Sequence, residues 1–467
     1  MTMKGRERDI QKILLVVPPF YRLIGGKNNW VHLGLSYVGS VLNKYGYEVK
    51  IYNADHGLQD KDIDLRGVFD GYERYEEAVN DPCHPIWQEI LRGIEQYPPD
   101  LLGITIVFSA TLKSVQNIAT MVKQHDNTIK VVVGGPHATL APDQTLSSPF
   151  FDYLVRGEGE QTLLELVQGR ELAKIDGLSY KDNNGKIIHN PDRKFIENLD
   201  ELPFPDPSLQ LIPLRNLNEN FGVISTSRGC PMRCVFCSDP RLWGRRVRHR
   251  SIGNVIDEIS QRYYRHGVQK YYFSDASFNL NKNYAKELCR AIVANNLKIQ
   301  FYCEATIGFF DRELMELMKE AGCIRLKFGM ESGSDRILKL MKKGINVAQI
   351  RETCSLAKEV GIPYTLYVMI GMPSETLEEM HQTLNLAKEL DAEYVSLSIA
   401  TPQIGTELYE IAIARGIRIP SDSWESFYHQ SSGTVLNNNV TPSLIEEFLA
   451  LNEEEGKGPP YELVLKG

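Results

Sequence analysis

Short apolar runs alternate with helix-patterned segments twice along this chain, and that alternation restricts its fold more than any other feature. In the first series, apolar runs at residues 13–17, 49–52, 101–107, 129–133 and 153–155 are interspersed with helical patterns at 33–42 and 114–124, around a polar, aromatic-rich stretch at 60–98. Strands joined through helices pair in parallel, so this half predicts a doubly wound, Rossmann-like α/β sheet. In the second series, strands at 223–226, 270–274, 299–304, 325–330, 364–370 and 394–399 are separated by helices at 252–266, 282–294, 311–321, an interrupted 335–360, and 377–390. Six such units predict a partial (β/α)6 barrel whose reactive groups gather at the carboxyl ends of its strands. Between the two series, Gly177-Leu-Ser-Tyr-Lys181, the Asn183-Asn-Gly185 turn and Ile187-Ile188 read as a hairpin, and Pro203, Pro205 and Pro207 as a linker. The predicted division is 1–170, a hairpin and linker at 171–215, a barrel at 216–410, and a C-terminal substrate-side region at 411–467.

Directly after the first barrel strand stands Cys230-Pro-Met-Arg-Cys234-Val-Phe-Cys237. Three thiolates this close can grip one metal centre. A structural zinc site needs four ligands, and the one candidate fourth, His249, lies inside an arginine-rich stretch. An iron-sulfur cubane held by three thiolates keeps one iron open for chemistry, which the spacing favours. The motif, with Phe236 before its last cysteine, resembles the signature of the radical S-adenosylmethionine (SAM) superfamily. The resemblance implies that Cys230, Cys234 and Cys237 hold a 4Fe-4S cluster. The open iron would bind the amino and carboxylate groups of SAM, and an electron from an external flavodoxin- or ferredoxin-like donor would cleave SAM to a 5′-deoxyadenosyl radical.

The strand ends of the first series carry Gly134-Gly-Pro-His-Ala138 and Arg156-Gly-Glu-Gly-Glu160. Glycines at such ends let a backbone approach a ligand closely, and the absence of G-x-G-x-x-G gives no indication of nicotinamide or flavin. With Pro18-Pro19 and the helix start Leu33-Gly-Leu-Ser-Tyr37, placed before a radical SAM core, these segments resemble the cobalamin-binding domain of class B radical SAM enzymes. The resemblance implies a cobalamin pocket at Gly134, Gly135, His137, Gly157, Glu158 and Gly159. No Asp-x-His-x-x-Gly motif occurs, so the expectation is cobalamin with its own base displaced and no histidine on cobalt. The lower face would be covered by the loop containing Phe108, Ser109 and Thr111.

The barrel strands end in polar groups: Asp275, Glu304, Glu331-Ser332 and Gly371-Met-Pro-Ser-Glu375. One mouth thus collects carboxylates, hydroxyls and glycines suited to a zwitterionic nucleoside. By resemblance, Asp275, Glu331 and Ser332 match SAM-contacting positions, Phe236 and Gly371 match the adenine side, and Glu304 shares the mouth; Ala276 stands where the family often has a second acid. Asp275 and Glu331 could instead cap the helices that follow. Five arginines between Arg241 and Arg250 read as a basic entry into the next helix rather than a nucleic-acid patch, given a net charge of −8.

The remaining cysteines, Cys83, Cys289, Cys303, Cys323 and Cys354, are expected to be buried hydrophobes. No apolar run approaches the roughly 20 residues of a membrane span, and residues Met1 to Asp9 are charged rather than signal-like. A cytoplasmic protein is expected. The resemblance implies a methyltransferase that acts on an unreactive carbon of a small-molecule, peptide or protein substrate, consuming SAM both to remethylate cobalamin and to make the radical. A cyclase, ring-contracting enzyme or rearrangement with the same cofactors is the alternative, and a cobalamin carrier or sensor with a structural metal is the third. A methylthiotransferase would need further cluster cysteines, and the only cysteine before Cys230 is Cys83.

Overall fold

The computed structural model describes residues 10–57, 63–417, 419, 424–431 and 436–453. The N-terminal Met1–Asp9 stretch and parts of the expected substrate-side tail lie outside the described residues. Seven strands form the first sheet: β1 (Lys12–Val17), β2 (Glu48–Asn53), β3 (Leu101–Thr105), β4 (Lys130–Gly134), β5 (Tyr153–Val155), β6 (Leu178–Lys181) and β7 (Ile187–His189), in the order β2-β1-β3-β4-β5-β6-β7. β1 to β5 pair in parallel. The order reverses between β1 and β3, which makes their carboxyl ends the switch-point crevice where such sheets bind ligands.

Alternation along β1 divides its side chains between two cores: Leu14 and Val16 join one face, Ile13 and Leu15 the other. The first face is covered by helices at Leu65–Asn80, Pro85–Glu95 and Leu112–His125, the second by Leu33–Lys44 and Gly159–Val167. The polar stretch after residue 60 therefore contains two amphipathic helices. The hairpin, expected to be a connector, is part of the sheet: β6 pairs antiparallel with β5, and β7 with β6.

The second sheet comprises β8 (Val223–Ile224), β11 (Lys270–Phe273), β12 (Gln300–Ala305), β13 (Cys323–Glu331), β14 (Tyr364–Ile370) and β15 (Tyr394–Ile399), all parallel, in sequence order from one edge to the other. This is the expected six-unit partial barrel. A separate two-stranded ribbon, β9 (Ser227–Arg228) against β10 (Arg248–His249), pinches off the loop that holds the three cysteines. Cys289, Cys303, Cys323 and Cys354 are buried as expected, whereas Cys83 is exposed in the turn between two surface helices.

The tail joins the two units. Trp424, Phe427 and Tyr428 sit in the core of the N-terminal sheet, while the Ile399 amide donates to the His429 carbonyl at 2.7 Å. The helix Pro442–Leu449 packs Leu444, Ile445, Phe448 and Leu449 on the barrel core. Among the described residues, no helix is long and apolar enough to cross a membrane.

Candidate active site

A cavity of about 740 Å³ opens between the strand ends of the two sheets, within the size range of small-ligand pockets. The N-terminal strand ends, the cysteine loop, the first barrel strands and the tail all reach its wall.

The cysteine loop is held by backbone contacts. Gly229, at φ +103°, sits where a side chain would collide with the Arg246 carbonyl. The Cys230 amide donates to Gly244 at 3.0 Å, and Val235 donates to Met341 at 3.0 Å. Burial pushes all three thiols above their ordinary pKa, Cys237 furthest. A thiol this desolvated is deprotonated by a coordinated metal rather than by solvent. Among the described residues, no three His, Cys, Asp or Glu side chains are arranged to hold a single metal ion. His249 stacks on the Tyr284 ring at 4.2 Å with its Nδ1 buried and without a partner, and it does not join the three cysteines around one ion. Three thiols, one buried and two half-buried, without a convergent fourth ligand suit a multi-iron cluster, in which each thiolate takes a different iron, better than a zinc ion.

Asp275 follows β11 and lines the cavity. Its Oδ1 accepts from the Thr226 amide (3.0 Å), Thr226 Oγ1 (3.1 Å), the Ser227 amide and Ser227 Oγ (2.7 Å). Its Oδ2 is buried with no partner, and burial pushes the carboxyl above its usual pKa despite those four donors. Glu331, at φ +61°, accepts from Lys343 Nζ at 2.7 Å. Lys343 lies 5.9 Å from the centre of the Phe236 ring. Burial works against the Lys343 charge, yet Glu331 and the neighbouring thiols hold its pKa above the ordinary value.

The following helices are capped by Asn281 and Ser334, so Asp275 and Glu331 do not cap them. Of the other SAM-side residues, Glu304 accepts from Tyr272 (3.1 Å) and Tyr367 (3.3 Å) hydroxyls. Ser332 accepts from the Ser334 amide at 3.1 Å, and the Gly371 amide donates to Glu375 at 2.7 Å. Phe236 packs beside Val235 and Met341. These residues and Glu331 stand behind the cavity wall rather than on it.

All nine residues expected on the cobalamin side line the cavity. Gly135, at φ +95°, has no room for a Cβ, which would sit 2.7 Å from Thr105 Oγ1. Gly157, at φ +71°, faces open space. His137 Nδ1 shares a hydrogen bond of 3.0 Å with Ser109 Oγ, and its Nε2 is buried without a partner. Burial lowers the His137 pKa to about 4, so its ring is neutral. Thr111 Oγ1 turns back to the Phe108 carbonyl at 2.8 Å, and Phe108 rests on Tyr428, ring centres 5.2 Å apart. The orphaned Nε2 and the glycine cradle suit a large ligand carrying polar groups. The Glu158 carboxylate is taken up by Arg228 and Arg248, leaving its backbone for a ligand.

Sequence reasoning missed Arg228, Lys343 and the cavity-lining Tyr272 and His429, while Tyr428 lies in the tail expected on the substrate side. Arg228 adjoins the Gly-Cys step of the metal loop, a signal that could have been read. Lys343 follows a helix after Glu331 and has no local signature.

Two α/β units turn their strand ends onto one cavity, one bringing the cysteine loop and the other a glycine cradle, as suits a protein that holds two large cofactors. The model of the Radical SAM superfamily matches residues 224–387, and that of the B12 binding domain matches residues 24–167. The chain is 36% identical over 430 residues to an uncharacterized methyltransferase of Pyrococcus horikoshii, covering 90% of this chain and 86% of that protein. It is 28% identical to cytidylyl-2-hydroxyethylphosphonate methyltransferase of Streptomyces wedmorensis (90% and 85% covered). It is 27% identical to an anaerobic magnesium-protoporphyrin IX monomethyl ester cyclase of Synechocystis (90% and 81%). Its fold is that of the methyltransferase TsrM from Kitasatospora setae, solved with cobalamin and a 4Fe-4S cluster, at a TM-score of 0.70, 20% identity and coverage of 95% and 91%. The chain belongs to the cobalamin-binding radical SAM enzymes.

Proposed function

We propose that this protein is a cobalamin-dependent radical SAM methyltransferase that methylates an unactivated carbon. The observation that carries the reading is the single cavity whose wall includes both Cys237 of the metal loop and the glycine cradle of the N-terminal sheet. When bound, the cluster with SAM supplies a carbon radical, and cobalamin supplies a methyl group. Cys230, Cys234 and Cys237 would hold the cluster. The orphaned Asp275 Oδ2 accepts from a ribose hydroxyl. The Glu331–Lys343 pair, Phe236 and the Gly371 turn stand behind the cavity wall, where they would back the amino acid and adenine sides of SAM. Gly134, Gly135, Gly157 and Gly159 let the backbone approach the corrin, and the neutral His137 presents Nε2 to one of its polar groups. Tyr428 and His429 close the wall and exclude water from the radical chemistry. No side chain acts as general base.

The substrate is a small molecule, a peptide or a protein, and a flavodoxin- or ferredoxin-like protein in a reducing cytoplasm supplies electrons. The similarity to a named cyclase supports one second reading, radical ring formation without methyl transfer. Anaerobic reconstitution with iron, sulfide and hydroxocobalamin, then SAM and a strong reductant, tests both. Methylation yields S-adenosylhomocysteine together with 5′-deoxyadenosine. Deoxyadenosine alone would overturn methylation in favour of the cyclase reading.

A further inference from the structure

Four charged side chains are buried together where the two units meet. Arg228 and Arg248 are directly opposed partners across the β9–β10 ribbon, with side chains 10% and 3% exposed. Like charges opposed across a ribbon destabilise it, and guanidiniums withdrawn from water need counter-charge. The counter-charge comes from the N-terminal unit, at the start of helix Gly159–Val167. Glu158 Oε1 accepts from Arg228 Nη1 at 3.1 Å and Arg248 Nη2 at 2.9 Å. Glu158 Oε2 accepts from Arg248 Nη1 at 3.1 Å and the Ile196 amide at 2.6 Å. Glu160 Oε1 accepts from Arg228 Nη2 at 2.7 Å. The two carboxylates are 1% and 6% exposed, and the quartet is neutral.

The same residues anchor two functional loops. The ribbon is the neck of the cysteine loop, with Arg228 two residues before Cys230 and Arg248 held to the Trp243 carbonyl at 3.1 Å within that loop. Glu158 lies between Gly157 and Gly159, whose backbones line the cavity from the N-terminal sheet. An arginine of one neck and a carboxylate of one cradle therefore cannot move independently.

We propose that the Arg228, Glu158, Arg248 and Glu160 quartet is a positioning element that fixes the cluster loop against the cobalamin loop, so that losing one charge displaces both cofactor sites together. The proposal rests on the two-cofactor reading above. Its readouts, cobalamin affinity and the magnetic interaction between the two metals, do not depend on methyl transfer.

The test uses full-length protein reconstituted with both cofactors. Affinity for hydroxocobalamin is followed by its visible spectrum, and the enhancement of Co(II) spin relaxation by the reduced cluster is measured by EPR. Glu158→Gln is expected to weaken cobalamin binding roughly tenfold or more, the usual scale for a partner behind a ligand, and to diminish or scatter the relaxation enhancement. Adding Arg248→Gln, which removes the stranded positive charge, restores part of both. Arg66→Gln, at the exposed pair with Glu446, changes neither. Should Glu158→Gln fail to fold, Glu160→Gln, which breaks a single contact, carries the same test. A folded Glu158→Gln or Glu160→Gln protein with a lower Tm but unchanged cobalamin affinity and unchanged spin interaction would overturn the proposal. Wild-type protein that bound no cobalamin would overturn the two-cofactor reading as well.

Discussion

Asp275→Asn separates a ligand-holding role from a structural one. In the folded protein, Asp275 lines the cavity; its Oδ1 takes four donors from Thr226 and Ser227, while its Oδ2 is buried with none. Asparagine keeps an acceptor on the Thr226 side and replaces Oδ2 with a donor. Hydrogen bonds to a charged group contribute about 1.5–3 kcal/mol against about 0.5–1.5 for neutral ones, so the two backbone contacts weaken by roughly 1 kcal/mol each. Removing a desolvated charge offsets this, because burial already outweighs the donors and raises the carboxyl pKa. A raised folded pKa means the native state holds this proton more tightly than the unfolded chain, so the charged carboxylate costs stability as pH rises past the ordinary aspartate range. The net change at neutral pH should stay within about 1 kcal/mol, or about 3 °C in Tm. On the ligand side, a charged acceptor for a ribose hydroxyl is lost, about 1.5–3 kcal/mol, or roughly 10- to 100-fold in SAM affinity. Equilibrium dialysis of SAM with the reconstituted protein and thermal unfolding of the apo-protein measure the two sides. A Tm loss well beyond 3 °C with unchanged SAM affinity would refute the reasoning and make Asp275 a brace for the Thr226–Ser227 corner alone.

Burial pushes Glu375 up to about 7, although it accepts from the Gly371 and Met372 amides. Wild-type stability should therefore fall by roughly 3 kcal/mol from about pH 4 to pH 7 through this group and level off above, while Glu375→Gln lacks that slope; identical pH dependences of Tm would count against it. Cys234→Ala should lose the cluster, read as iron and sulfide content, and with it deoxyadenosine formation, whereas a carrier with a structural metal would keep its function. The EPR spectrum of the Co(II) protein should lack nitrogen superhyperfine splitting, since His137 is packed edge-on to Trp424 at 5.5 Å and bonded to Ser109; such splitting would place a histidine on cobalt.

The barrel was legible because its parallel strands are buried on both faces and so read as unbroken apolar runs. Strand Tyr364–Ile370 and helix Leu377–Leu390 fall where the pattern put them, the latter behind a Thr376–Glu379 capping box. The helix Leu65–Asn80 was hidden although Leu65, Val68, Tyr72, Tyr75 and Val79 recur at helical spacing on its buried face. Its tyrosines, set among acidic residues, disguised an apolar stripe as a polar segment. What the local pattern could not carry was pairing across distance. The hairpin is part of the sheet only because β5 offers it an edge. Glu158 meets Arg228 from 70 residues away, a pairing that no local pattern announces.

The tail shows the same limit at the scale of the whole cavity. Trp424, Phe427 and Tyr428 announce an apolar surface, but nothing nearby in sequence says which one they cover. In the fold they complete the N-terminal core, and the adjoining His429 carbonyl binds the last barrel strand. The segment that closes the cavity is thus held by both units at once, and its Tyr428 and His429 face a wall that neither sheet completes alone. The shape of that wall depends on the docking of the two units, a tertiary property that no single stretch of the chain encodes.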